Sequence, residues 1–141
     1  MSYMLLIVEP QGQRPARAQA EGQGLYRRML DYTDSLKARG VLLASDSLRA
    51  RAARLSIREG RQSVVDGPFT ESKELVGGFY LIDVPSMDEA IAWALRSPTG
   101  LGSDDVLTIH PMTEASDLPP EMVKIITDAA PTWSAAWRKP R

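Results

Sequence analysis

Hydrophobic periods change along this chain in a definite order, and that order limits the folds open to it. Tyr3-Met4-Leu5-Leu6-Ile7-Val8 is an unbroken apolar run, the pattern of a strand buried on both faces. Pro10 to Gly12 end it. Residues 11–24 are polar and contain Gly12, Pro15, Gly22 and Gly24, so they read as an exposed loop that turns helical late. Leu25, Met29, Tyr32 and Leu36 then fall at helical spacing and share a face. Lys37 and Arg39 sit where the helix dipole favours cations, and Gly40 is placed to close the helix.

A second apolar strand starts at Val41-Leu42-Leu43-Ala44. Residues 53–58 alternate with a period of two, Glu59-Gly60-Arg61 supplies a turn, and residues 62–65 return, which predicts a hairpin with one wet face. Asp66-Gly67-Pro68-Phe69 is a turn sequence. Residues 76–84 predict a strand entered through Gly77-Gly78, a pair that implies a bulge or a close backbone approach. Ser86-Met87-Asp88-Glu89 is a capping box, with Ala90, Ile91, Ala94 and Leu95 as the apolar face behind it. Pro98 and Gly100 stop that helix, and residues 106–110 form the last core strand. The tail differs. Pro119-Pro120-Glu121 starts a helix with proline in its first turn. Met122, Ile125, Ile126 and Ala129 make its stripe, Pro131 breaks it, and Trp133 and Trp137 follow.

Without the hairpin, the order is βαββαβ. The expected class is therefore α+β: a ferredoxin-like βαββαβ unit over residues 1–112 with an inserted β-hairpin, and a C-terminal helical extension over 113–141. Two helices on one face of a four-stranded sheet leave the other face bare. Its apolar residues call for a partner, and a homodimer is the simplest one.

Composition excludes much else. There is no cysteine and one histidine, His110. Disulfides, thiolate nucleophiles and cysteine-bound metals are excluded, and a metal centre on one histidine is not expected. The net charge of −1, with acidic residues interleaved among Arg14, Arg17, Arg27, Arg28 and the arginines of 49–54, argues against a nucleic-acid partner. No apolar run reaches a membrane span, so no membrane is expected, and the cytoplasm is the expected compartment.

The run Asp66-Gly67-Pro68-Phe69-Thr70-Glu71-Ser72-Lys73-Glu74, followed by Gly77-Gly78-Phe79-Tyr80, resembles the DGPF motif of YCII-related proteins. The opening at Tyr3 and the Gly40-Val41-Leu42-Leu43 segment fit the same family, and the likeness covers residues 3 to 112. It implies a dimeric α+β barrel with sheets packed face to face. It also implies association with extracytoplasmic-function sigma factors. Relatives of the barrel include lactone isomerases, dehalogenases and haem-degrading monooxygenases. The chain departs from some relatives in one respect: residues 26–32 hold no histidine, and Met29 stands near the expected place. The histidine–aspartate dyad of more distant members is therefore not carried over.

Three sets of residues are candidates for chemistry. Asp66, Glu71 and Lys73 are candidate catalytic groups, with Asp66 as general acid/base and Lys73 as an anion anchor. The bland alternatives are an Asx turn at Asp66 and a solvated charge cluster after it. Asp46, Phe69, Gly77 and Gly78 are candidate ligand-lining positions. His110 is the one side chain that ordinarily titrates near neutrality, and an edge-strand histidine satisfied by a hydrogen bond accounts for it. The leading functional expectation is a small-molecule-binding or accessory module, with a sigma factor as a partner. A small enzyme of the lactone-isomerase or hydrolase type is the alternative. Haem breakdown is weakest, for want of a helix-borne histidine. No cofactor is indicated.

Overall fold

A computed structural model describes residues 1–10, 12–49, 51–67, 74–98 and 105–130 of the 141-residue chain. The elements are β1 (Ser2–Pro10), α1 (Gln13–Ala38), β2 (Leu42–Ser47), β3 (Ala53–Arg58), β4 (Arg61–Asp66), β5 (Glu74–Asp83), α2 (Met87–Leu95) and β6 (Val106–Pro111). A short 3-10 turn (Ala115–Asp117) and α3 (Pro120–Ala129) follow. Strands β2, β5, β1 and β6 form one antiparallel sheet in that order. This is the order of a ferredoxin-like unit, with β3 and β4 as the inserted hairpin.

The alternation of β1 decides which face holds the core. Tyr3, Leu5, Ile7 and Glu9 are buried, and the residues between them are half-buried. Tyr80 and Ile82 of β5 pair with Leu5 and Tyr3 and join them on the buried face. Helices α1 and α2 cover this face through Tyr32, Leu36, Ala90 and Trp93. The Tyr32 hydroxyl donates to the Trp93 carbonyl at 2.8 Å, tying the helices together. The Tyr32 and Tyr80 rings meet edge to face at 5.3 Å, and the Thr33 and Tyr80 hydroxyls lie 3.3 Å apart. Full burial of a side chain such as Leu5, Leu36 or Ile82 contributes about 2 kcal/mol each.

Among the described residues, no helix joins the core cluster from the opposite face. That face carries Met4, Leu6, Val8, Phe79 and Leu81, all half-buried, with Val76 and Val106 exposed at its end. His110 pairs with Met4 on this face, on edge strand β6. Its Nε2 lies 3.0 Å from the Thr108 hydroxyl.

Two expectations are corrected: on α2, Ile91 and Leu95 are exposed while Trp93 joins Ala90 in the core, and an expected loop is helical. The polar stretch expected as a loop over 11–24 belongs to α1, which starts at Gln13. Gly12 turns the chain in with a left-handed φ of 81°. Pro15 then falls in the first turn, where a missing N–H costs nothing. Gly22 and Gly24 weaken the helix by about 1 kcal/mol each, too little to break 26 residues. At the other end, Gly40 (φ 70°) donates to the Lys37 carbonyl and Val41 to that of Leu36, which is a Schellman stop. The Glu59-Gly60 turn has both φ values positive, as a tight hairpin turn demands. Ser86 caps α2 by accepting from the Glu89 amide at 3.2 Å.

Candidate functional site

Three strand ends meet at one end of the sheet: the finish of β1, the finish of β2 and the start of β5. The β1 alternation places Glu9 at the fourth core-facing position, and the side chain is 4% exposed. A carboxylate this enclosed needs a partner, and Glu9 has one.

Gly77 and Gly78 make the space around it. Ile7 pairs with Gly78 and Val8 with Val76, so Gly77 is the extra residue of a bulge. A Cβ on Gly77 would lie 2.8 Å from the Glu9 carboxyl carbon and 2.9 and 3.0 Å from its two oxygens. The carboxylate therefore occupies the place a side chain would take. A Cβ on Gly78 would lie 2.8 Å from the Asp46 carbonyl oxygen and 3.4 Å from the Ser47 Cα. There the edge strand β2 presses directly onto β5. The Gly77 carbonyl accepts from the Leu48 amide at 2.9 Å and from the Ser47 hydroxyl at 3.5 Å. The Asp46 carboxylate accepts from the Ser47 amide at 2.8 Å.

The arrangement sets an enclosed carboxylate over bare backbone, with a serine hydroxyl beside the same bulge. Such a group can accept hydrogen bonds from a ligand amine, amide or hydroxyl, or exchange a proton with it. Among the described residues no three histidine, aspartate or glutamate side chains gather as a metal set.

The expected site residues divide. Asp46, Gly77 and Gly78 come together at this sheet end. Asp66 is the last residue of β4, exposed and paired with Ala53, at the stem that the Gly67 amide closes on the Ala52 carbonyl. Phe69, Glu71 and Lys73 lie outside the described residues, as do Trp133 and Trp137. Glu9 is the residue that sequence reasoning missed. Its signal was parity: it stands two places beyond Ile7, on the side that Tyr3 and Leu5 mark as core.

The fold and this sheet end define a ferredoxin-like α+β domain carrying one enclosed carboxylate. The chain belongs to the YCII-related domain family, whose pattern it matches over residues 1–113. It is also similar, at 54% identity over 43 residues, to an uncharacterised protein of Rhizobium meliloti (strain 1021). That match takes in 30% of this chain and 35% of the relative, so the chain spans about a third of that curated relative's length. No helix among the described residues is long and apolar enough to cross a membrane.

Proposed function

We propose that the protein is a small-molecule-binding homodimer whose ligand is anchored by Glu9 at the end of the sheet. The observation that carries this reading is the burial of Glu9 against Gly77, a position where any other residue would contend with the carboxylate. A purely structural strand end has no need of an ionisable group in its core, since an apolar residue there is cheaper. The ligand class that suits it offers a hydrogen-bond donor, such as an amine, an amide or a hydroxyl. The DGPF segment joins β4 to β5, whose start is this sheet end, so Phe69, Glu71 and Lys73 shortly precede it in the sequence.

The bare apolar face of the sheet supports the dimer, with sheets packed face to face and the Met4, Leu6, Phe79 and Leu81 side chains between them. The binding unit is residues 1–112, with 113–141 as an extension, and the absence of cysteine fits a reducing cytoplasm. An enzymatic role of the lactone-isomerase or hydrolase type would draw on the same end of the sheet. In that version Glu9 is the enclosed carboxylate, and Asp66 is one that faces water. An accessory role beside a sigma factor has the family resemblance as its whole support.

The test is native mass spectrometry of the protein as purified, together with thermal shift against a library of small amines, amides and polyols. Wild type is expected to carry or gain a ligand that Glu9→Gln does not. Equal binding by both proteins would remove Glu9 from the site.

A further inference from the structure

The β3–β4 hairpin is two-faced, and among the described residues nothing covers either face. Leu55 pairs with Val64 and Ile57 with Gln62, so Leu55, Ile57 and Val64 share one face. They are 60%, 64% and 68% exposed. A two-stranded ribbon is marginal in water unless something covers an apolar face. The hairpin and its approach are also basic, with Arg49, Arg51, Arg54, Arg58 and Arg61 against Glu59 and Asp66.

The segment after β6 has the complementary character. Met122 and Ile125 of α3 are 43% and 58% exposed at adjacent positions of one stripe. Within residues 112–130, Glu114, Asp117, Glu121 and Asp128 flank them against Lys124, and Arg138, Lys139 and Arg141 come later in the sequence. One chain therefore carries an apolar basic arm and an apolar acidic helix.

Topology says where the two can meet. The hairpin leaves the sheet at the finish of edge strand β2, and α3 follows the finish of the other edge strand, β6. The pairings make β2 and β6 antiparallel to each other, so these roots stand at diagonally opposite corners of the sheet. A two-fold axis along the other diagonal, between sheets crossed near a right angle, lays each hairpin corner over the partner copy's α3 corner. The contact then occurs twice, as an isologous dimer requires.

We infer that the hairpin is a clasp for a second copy of this chain, with Leu55, Ile57 and Val64 seated on the Met122/Ile125 stripe of α3 in the partner. The arginines steer the arm toward the acidic flank. Steering acts over about a Debye length, roughly 8 Å at physiological salt, so it reaches across a ribbon one layer thick. The inference rests on the face-to-face dimer and names what holds its rim.

The chain has no cysteine, so engineered thiols report cleanly. The experiment compares Ile57→Cys, Ile125→Cys and the double variant, each treated with a short bismaleimide and run under denaturing conditions, beside light scattering of the untreated proteins. The double variant, and an equimolar mixture of the two single variants, are expected to give a covalent dimer. Each single variant alone is expected to stay at monomer mass. A dimer by light scattering that does not cross-link this way overturns the clasp and leaves the sheet dimer standing. Monomers by light scattering overturn both. A covalent dimer of Ile57→Cys alone means hairpin on hairpin, and an internal cross-link in the double variant means the contact lies within one chain; either also overturns the clasp. As a second readout, Arg58→Glu with Arg61→Glu is expected to raise the dimer dissociation constant about tenfold, and adding Glu121→Lys with Asp128→Lys to restore it.

Discussion

Gly77→Ala is the sharpest perturbation of the proposed site, because its cost is assigned to one neighbour. Gly77 does not have a positive φ, so alanine meets no backbone strain there. Its Cβ would sit 2.8 Å from the Glu9 carboxyl carbon, well inside the roughly 3.5–4 Å of a comfortable carbon contact. Glu9 is enclosed, so its carboxylate can yield only by displacing its neighbours. Overpacking of this kind costs about 1–3 kcal/mol. In a Glu9→Ala background the obstacle is gone, and alanine in a strand is better than glycine by about 0.5–1 kcal/mol. The coupling energy is then about 2 kcal/mol or more, on the order of 5–8 °C in Tm for a chain of this size. Urea unfolding of the four proteins in the cycle measures it. Glu9→Gln serves as a control, since it keeps the bulk and should keep the clash. Equal cost of Gly77→Ala with glutamate and with alanine at position 9 would refute the packing argument, and with it the idea that the bulge exists to house the carboxylate.

Three further outcomes follow from other contacts. Gly78→Ala meets the Asp46 backbone oxygen, which truncating a side chain cannot relieve. It should cost about 1–3 kcal/mol in every background and speed hydrogen exchange along β2. Burial first, and Tyr80 second, push the Tyr32 hydroxyl well above its ordinary value, with Arg96 opposing. Above about pH 10 the unfolded chain loses this proton while the folded one keeps it, so stability falls with rising pH by up to about 1.4 kcal/mol per unit. Tyr32→Phe should flatten that alkaline slope in urea titrations, and should cost about 1 kcal/mol at neutral pH through the lost hydrogen bond to the Trp93 carbonyl, which keeps its bond from the Arg96 amide. Gly24→Ala, where the nearest outside atom to the new Cβ is 3.8 Å away in Arg28, should stabilise α1 and raise stability by about 0.5–1 kcal/mol.

Much of the fold was legible because local signals agreed with the final packing. The unbroken run from Tyr3 marked the central strand, Glu59-Gly60 marked the hairpin turn, and Ser86 with Glu89 marked the start of α2. The first half of α1 was hidden because Gly22, Gly24 and Pro15 are breakers by type, and only their positions make them tolerable. The site was half legible. Gly77-Gly78 announced a close approach, but not what approaches. Glu9 was passed over because a polar residue at the end of an apolar run resembles the strand's exit to solvent. Parity along β1 puts it inside instead. The hairpin's two faces could be read from its alternation, whereas the exposure of both faces among the described residues could be seen only in three dimensions.

The most direct measurement is an amide ¹H–¹⁵N correlation spectrum of the protein, titrated with small amines and amides that stabilise it in the thermal screen. The account predicts shifts concentrated at Glu9, Ser47, Leu48, Gly77 and Gly78, and their loss in Glu9→Gln. Shifts elsewhere, or shifts that persist unchanged in Glu9→Gln, would contradict it.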